Sequence, residues 1–230
     1  MSLLTPIPAD RRIRRFGQLV VGLLLYGFTM GLMVRAVFGL DPWDVFHQGV
    51  TKVLGHWVDI SYGTVITVVS VIVLLAWIPL RQRPGVGTIL NAAIIGWTTD
   101  ATLSVVPATG ILTVRILMLV IAVLGNAVAG GLYIGAGLGP GPRDGLMTGL
   151  VARGVGSVRV VRTGIELTVL LIGAAMGGSI GFATVVYALA IGPLLQVFLP
   201  RLSVRSRGAD GDREMFGSGA AVAVEGVEGR

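Results

Sequence analysis

Long apolar runs separated by short polar segments set the pattern of this chain. Six stretches are apolar enough to cross a bilayer, at about residues 16–38, 61–80, 86–106, 114–136, 160–177 and 180–200. Each is close to the roughly 20 residues that a helix needs to traverse the hydrocarbon core. The fifth is short and broken by Gly173, Gly177 and Gly178, so its hand-over to the sixth is the least defined boundary. Two further stretches, 42–54 and 142–155, are moderately apolar but too short to cross. Each opens on proline with aspartate two residues later, Pro42 with Asp44 and Pro142 with Asp144. Proline tolerates the first helical turn and a carboxylate favours the positive helix end, so the pattern predicts a short interfacial or re-entrant helix in each place. The fold class expected is all-α, a polytopic helical membrane protein.

The chain also resembles itself at a spacing of about 100 residues, the kind of weak internal symmetry found in repeat-built membrane proteins. The segment Gly31-Leu32-Met33-Val34-Arg35-Ala36-Val37-Phe38-Gly39-Leu40-Asp41-Pro42-Trp43-Asp44 aligns with Gly131-Leu132-Tyr133-Ile134-Gly135-Ala136-Gly137-Leu138-Gly139-Pro140-Gly141-Pro142-Arg143-Asp144. After a gap of about four residues Gly85, Thr88 and Gly96 face Gly181, Thr184 and Gly192. Shared Gly, Pro and Asp carry the match, since leucine pairs arise from composition alone. With three spans in each half, the second half must enter the membrane from the opposite side. The repeat is expected to be inverted, with boundaries at 1–13 for an N-terminal tail, 14–106 and 107–200 for the repeats, and 201–230 for a disordered C-terminal tail lacking apolar periodicity.

Composition and charge agree. Apolar residues make up 53% and charged residues 13% of the chain, half the usual charged share of a soluble domain. The 35 glycines would weaken soluble helices but allow close helix approach in a membrane. The net charge of +6 would suggest nucleic acid if it formed a patch on a soluble fold, but the arginines sit between apolar runs. Arg11, Arg12, Arg14 and Arg15, then Arg81 and Arg83, then Arg143, Arg153, Arg159 and Arg162, then Arg201, Arg205 and Arg207 all fall on one side of a six-span chain. That side is expected to be cytoplasmic, and with it both termini. The run from Phe16 to Val37 is too long for a signal-peptide core and is expected to remain as an anchor. The absence of cysteine excludes disulfides and thiolate chemistry.

Few residues can carry chemistry. Glu166 is the clearest intramembrane charge, with Arg162 one turn before it; the pair is either a self-neutralising salt bridge or part of a substrate or proton site. Arg143 and Asp144 fall at the start of the second short helix, and Asp44 at the start of the first. Such starts either present N–H groups to an anionic ligand or are capped by the aspartates themselves. Arg35 and Asp100 lie near outer span ends, where snorkelling or mutual pairing accounts for them. His47 and His56 fall in an external loop region and lack a third ligand, so no metal or other cofactor is expected. Asn91, Asn126, Tyr187 and Gln196 are read chiefly as interhelical hydrogen-bonding groups. Gly141, Gly145 and Gly149 form a ridge that lets the second short helix pack tightly. No serine–histidine arrangement, His-Glu-x-x-His or Walker loop is present, so no enzyme is expected.

The run Leu132 to Met147, with Val161-Arg162-Thr163-Gly164-Ile165-Glu166-Leu167-Thr168 and Gly39-Leu40-Asp41-Pro42-Trp43-Asp44-Val45, resembles the bacterial YczE-type membrane proteins, grouped with the YitT and YyaS proteins. The resemblance spans about residues 14–200. It implies a bacterial inner-membrane protein and supplies no substrate or catalytic residues. The function expected is a small secondary transporter or permease-like protein for a small solute. Arg143, Asp144, Arg162 and Glu166 would form the inner part of its path, and Asp44 with Arg35 the outer part. The alternative is a non-transporting accessory protein that supports another membrane or biosynthetic complex. Expected partners are the lipid bilayer, a small solute and further copies of the chain as a homo-oligomer, and not nucleic acid.

Overall fold

The computed structural model describes residues 10–204, and these are helical without strands. The helices are α1 (Arg12–Ala36), α2 (Pro42–Leu54), α3 (Tyr62–Leu75), α4 (Trp77–Leu80), α5 (Val86–Val105), α6 (Leu112–Gly135), α7 (Pro142–Ala152), α8 (Val158–Ala175) and α9 (Phe182–Leu202). The expected tails 1–9 and 205–230 lie outside the described residues.

By length and composition four segments can cross a membrane: α1, α3 with α4, α6 and α9. The other two expected spans form helices of 20 and 18 residues but are more polar. In α5 the apolar residues are diluted by Asn91, Asp100 and several threonines, and α8 carries Arg159, Arg162 and Glu166. Both expected short helices are present as α2 and α7, each with proline in its first turn. Local chemistry sets the starts: the Ser61 hydroxyl accepts from Thr64 N at 3.1 Å, and the Ser157 hydroxyl likewise caps α8.

Small residues bring the helices together. On α1, a Cβ at Gly22 would lie 2.8 Å from Tyr133 N of α6, and one at Gly27 2.6 Å from Ile95 O of α5. Gly63 of α3 and Gly96 of α5 meet backbone to backbone. The two short helices cross over: α2 packs on α8, and α7 on α3 and α4. A Cβ at Gly173 would lie 2.5 Å from Phe46 N, and Gly145 faces the indole of Trp77 directly. The glycine ridge of α7 is thus packed as expected, with Gly149 against Leu80 and Gln82.

Positions matched by the sequence repeat make matched contacts. Ala183 N donates to Phe38 O at 2.9 Å, and Gly87 N to Leu138 O at 2.8 Å. Gly39 at φ +106° sits against Gly181 and Thr184, and Gly139 at φ +122° against Gly85 and Thr88. Both glycines need the left-handed region that other residues avoid. Arg115 Nε donates to Ala36 O at 2.9 Å, and Arg15 Nη1 to Ala136 O at 2.9 Å, so each arginine satisfies a carbonyl at the end of the other half's first helix.

One expectation requires correction. Arg35 and Asp100 do not pair: Arg35 donates to the Leu103 carbonyl, while Asp100 accepts from Gly63 N at 2.7 Å and from the Ser61 hydroxyl at 2.5 Å. The carboxylate is better used where α3 starts with free N–H groups. His47 lies inside α2, the short helix expected there, and is buried rather than open to the outer face, at 1% exposure.

Candidate functional site

The starts of α2 and α7 meet. Arg143, in the first turn of α7, places its guanidinium carbon 4.7 Å from the ring centroid of Trp43 in the first turn of α2. Its Nη1 lies 4.0 Å from Asp41 Oδ1. Asp41 caps α2, its Oδ1 accepting from Trp43 N at 3.0 Å and Asp44 N at 3.2 Å. The start of α7 is held from the other side, where Trp77 Nε1 donates to Pro142 O at 3.0 Å.

Beside this junction is a cavity of about 260 Å³, a little below the usual small-molecule range. Its walls come from both halves of the repeat: Tyr26, Asp41, Trp43 and Asn91 from the first, Tyr133, Arg143, Asp144, Arg162, Glu166 and Tyr187 from the second. Ile66, Ile95, Met147 and Ile191 supply apolar surface. Asp144 Oδ2 accepts from the Tyr133 hydroxyl at 2.8 Å, and the rings of Tyr26 and Tyr133 meet edge to face at 5.9 Å. The Tyr187 hydroxyl donates to Asn126 Oδ1 at 2.8 Å, and Asn126 Nδ2 donates to the Thr29 hydroxyl at 3.2 Å. That chain fixes the Tyr187 ring at the cavity wall. Arg162 Nε donates to Glu166 Oε1 at 3.0 Å, with the arginine half-exposed.

Four of the six residues singled out from the sequence, Arg143, Asp144, Arg162 and Glu166, come together in this one cavity. Asp44 and Arg35 do not line it. Asp44 is fully buried within α2, with Oδ1 3.0 Å from His47 Nδ1 and Oδ2 without a hydrogen-bond partner among the described residues. Arg35 is spent on the end of α5 at Leu103. The sequence reading missed Asp41, Trp43, Tyr26 and Tyr133, and took Asn91 and Tyr187 chiefly as interhelical groups. Asp41 was legible in one respect: aspartate directly before a proline-led helix occupies the capping position. Among the described residues no three of His, Cys, Asp and Glu gather as metal ligands.

The model of a family of unknown function, DUF6198, matches residues 13–200. The chain is 35% identical over 181 residues to an uncharacterized protein of Haemophilus influenzae, covering 79% of this chain and 81% of that protein. It is 33% identical over 185 residues to the uncharacterized membrane protein YczE of Bacillus subtilis, covering 78% of this chain and 83% of that one. No solved structure matches.

Proposed function

The chain belongs to the DUF6198 family and is a YczE-like membrane protein, and on that premise we propose that it is a small secondary transporter or permease-like protein whose solute binds in the cavity between the two halves. One observation carries the reading. A polar cavity is walled by both sequence-related halves at the point where the starts of their short helices meet. Secondary transporters built from inverted repeats hold their solute at such a junction, near the midplane, at the ends of interrupted helices.

The proposal includes the architecture. Six spans form two inverted repeats of three, with α2 and α7 re-entrant from opposite faces. The duplicated contacts of Gly39 and Gly139, and of Arg15 and Arg115, support a pseudo-two-fold relation between the halves. The charges of α8 are then tolerated because Arg162 and Glu166 face the cavity and each other. One-sided arginines support an inner-membrane protein with both termini in the cytoplasm. The solute passes unchanged, and the protein works without a cofactor as a carrier rather than an enzyme.

Uptake into proteoliposomes tests the reading. Vesicles containing the full chain should accumulate at least one member of a broad panel of labelled amino acids, organic acids, amines, sugars and inorganic ions above empty vesicles. Asp144→Asn and Arg143→Gln should lower that uptake with the protein still folded by size-exclusion chromatography. A panel that shows no uptake above empty vesicles removes the transport reading.

A further inference from the structure

The charges of the cavity do not cancel one another evenly. Asp41, Asp144 and Glu166 stand against Arg143 and Arg162. Arg162 and Glu166 are matched at 3.0 Å, which leaves Asp41, Arg143 and Asp144 to account for. Asp41 Oδ1 is engaged by two backbone N–H groups, and its 4.0 Å approach to Arg143 is an ion pair too long to be a hydrogen bond. Among the described residues the Arg143 guanidinium therefore makes an ion pair and a cation–π contact with Trp43 but no hydrogen bond, although it carries five donors in a planar fork. Asp144 has the reverse shortage: it accepts from the Tyr133 hydroxyl and has no cationic partner within ion-pairing distance among the described residues.

We infer that the cavity takes a small zwitterion, a solute with an ammonium and a carboxylate on one apolar skeleton, the ammonium at Asp144 and the carboxylate at Arg143. This deepens the reading of the cavity as a solute site and rests on it. A lone anion would satisfy the open donors of Arg143 and sit beside an unneutralised Asp144. A lone cation would neutralise Asp144 and leave the guanidinium fork empty. A ligand carrying both charges answers both shortages at once, and because Arg143 and Asp144 line the same cavity, one small molecule can reach both. The cation–π contact with Trp43 holds the guanidinium beside the cavity, and its planar fork suits two-pronged recognition of a carboxylate. The remaining wall, with Ile66, Ile95, Met147 and Ile191, suits an uncharged, apolar side group.

The test is thermal unfolding of the detergent-solubilised full chain with the proteinogenic amino acids and with two matched sets: leucine, isoamylamine and 4-methylpentanoate; phenylalanine, phenethylamine and 3-phenylpropanoate. At least one amino acid with an uncharged side chain should raise the midpoint saturably, with at least tenfold tighter apparent binding than its amine or its acid. Arg143→Gln and Asp144→Asn should each weaken that binding at least tenfold. The wild-type comparison within a matched set stands even if a variant fails to fold. Stabilisation by the amines alone, by the acids alone, by sodium or potassium alone, or by nothing in the panel overturns the zwitterion assignment. Binding of an amino acid without vesicle uptake would keep this inference and remove transport, whereas preferred uptake of an amine or an acid would keep transport and remove this inference.

Discussion

At the level of single residues, the two aspartates at the start of α2 have opposite roles from those their sequence positions suggest. Asp44 matches Asp144 in the repeat, yet it is buried away from the cavity beside His47. Asp41 has no acidic counterpart, since Gly141 occupies the matching position, yet it caps α2 and faces Arg143. Asp41→Ala should lower stability by about 1–2 kcal/mol through the lost cap, while Asp41→Asn should retain most of it, because an amide oxygen also accepts from the two N–H groups. Thermal unfolding of both variants decides the point, and equal losses would show that the charge beside Arg143 matters more than the cap. Asp44 and His47 form a buried pair whose parts should not be additive. His47→Leu removes the ring nitrogen that meets Asp44 Oδ1, and leaving that buried oxygen unsatisfied should cost about 1–3 kcal/mol. The double variant His47→Leu with Asp44→Leu should recover part of it, and a double-mutant cycle measures the recovery. Charges inside apolar runs were conspicuous, which is why Arg143, Asp144, Arg162 and Glu166 were legible. Tyr26 and Tyr133 were not, because a phenol in a span is amphipathic and gives no signal until a partner such as Asp144 is brought to it.

Among the elements, helix identity was legible and helix pairing was not. The runs at 42–54 and 142–155 gave α2 in full and the start of α7, which ends three residues early at Ala152, since a proline start and a following polar break are local signals. The single run 61–80 instead divides at Ala76 into α3 and α4. Nothing in one helix names its neighbour: the ridge of Gly141, Gly145 and Gly149 announced close packing, but only the folded chain shows Trp77 and Leu80 as what it meets. The substitution that tests this is Gly145→Ala. Its Cβ would run into the Trp77 indole, whose Nε1 holds Pro142 O, so a loss of about 1–3 kcal/mol is expected from overpacking. Gly164→Ala on α8 is the contrast. A Cβ there meets nothing within 4 Å, so alanine should stabilise the helix by roughly 0.5–1 kcal/mol. Similar midpoints for the two variants in thermal unfolding would mean that α7 is not pressed against Trp77 as described.

Across the whole molecule, the question is whether the two self-similar halves face opposite sides of the membrane. The duplicated contacts bear on this because they pair ends: Gly39 with the turn before α9, Gly139 with the turn before α5. If the halves were parallel, the odd span count of each would have to be broken by a missing crossing, and the polar helices α5 and α8 are where that crossing would be lost. Accessibility separates the cases, and a chain without cysteine makes each introduced one unique. Val58→Cys, Ala108→Cys and Ser179→Cys, all at exposed positions, should react with an impermeant maleimide from the periplasmic side. Arg83→Cys and Val155→Cys, also exposed, should react only after the membrane is permeabilised. Labelling of positions 83 and 108 from the same side would show that α5 does not cross, and labelling of 155 and 179 from the same side would show that α8 does not. Either result would leave the cavity intact but take away the inversion, and with it the physical reason for expecting each half to gate a different face. Opposite-side labelling at both pairs would instead make the cross-packing of α2 on α8 and α7 on α3 the natural moving parts. Each short helix would then carry one wall of the cavity while leaning on a span of the other half.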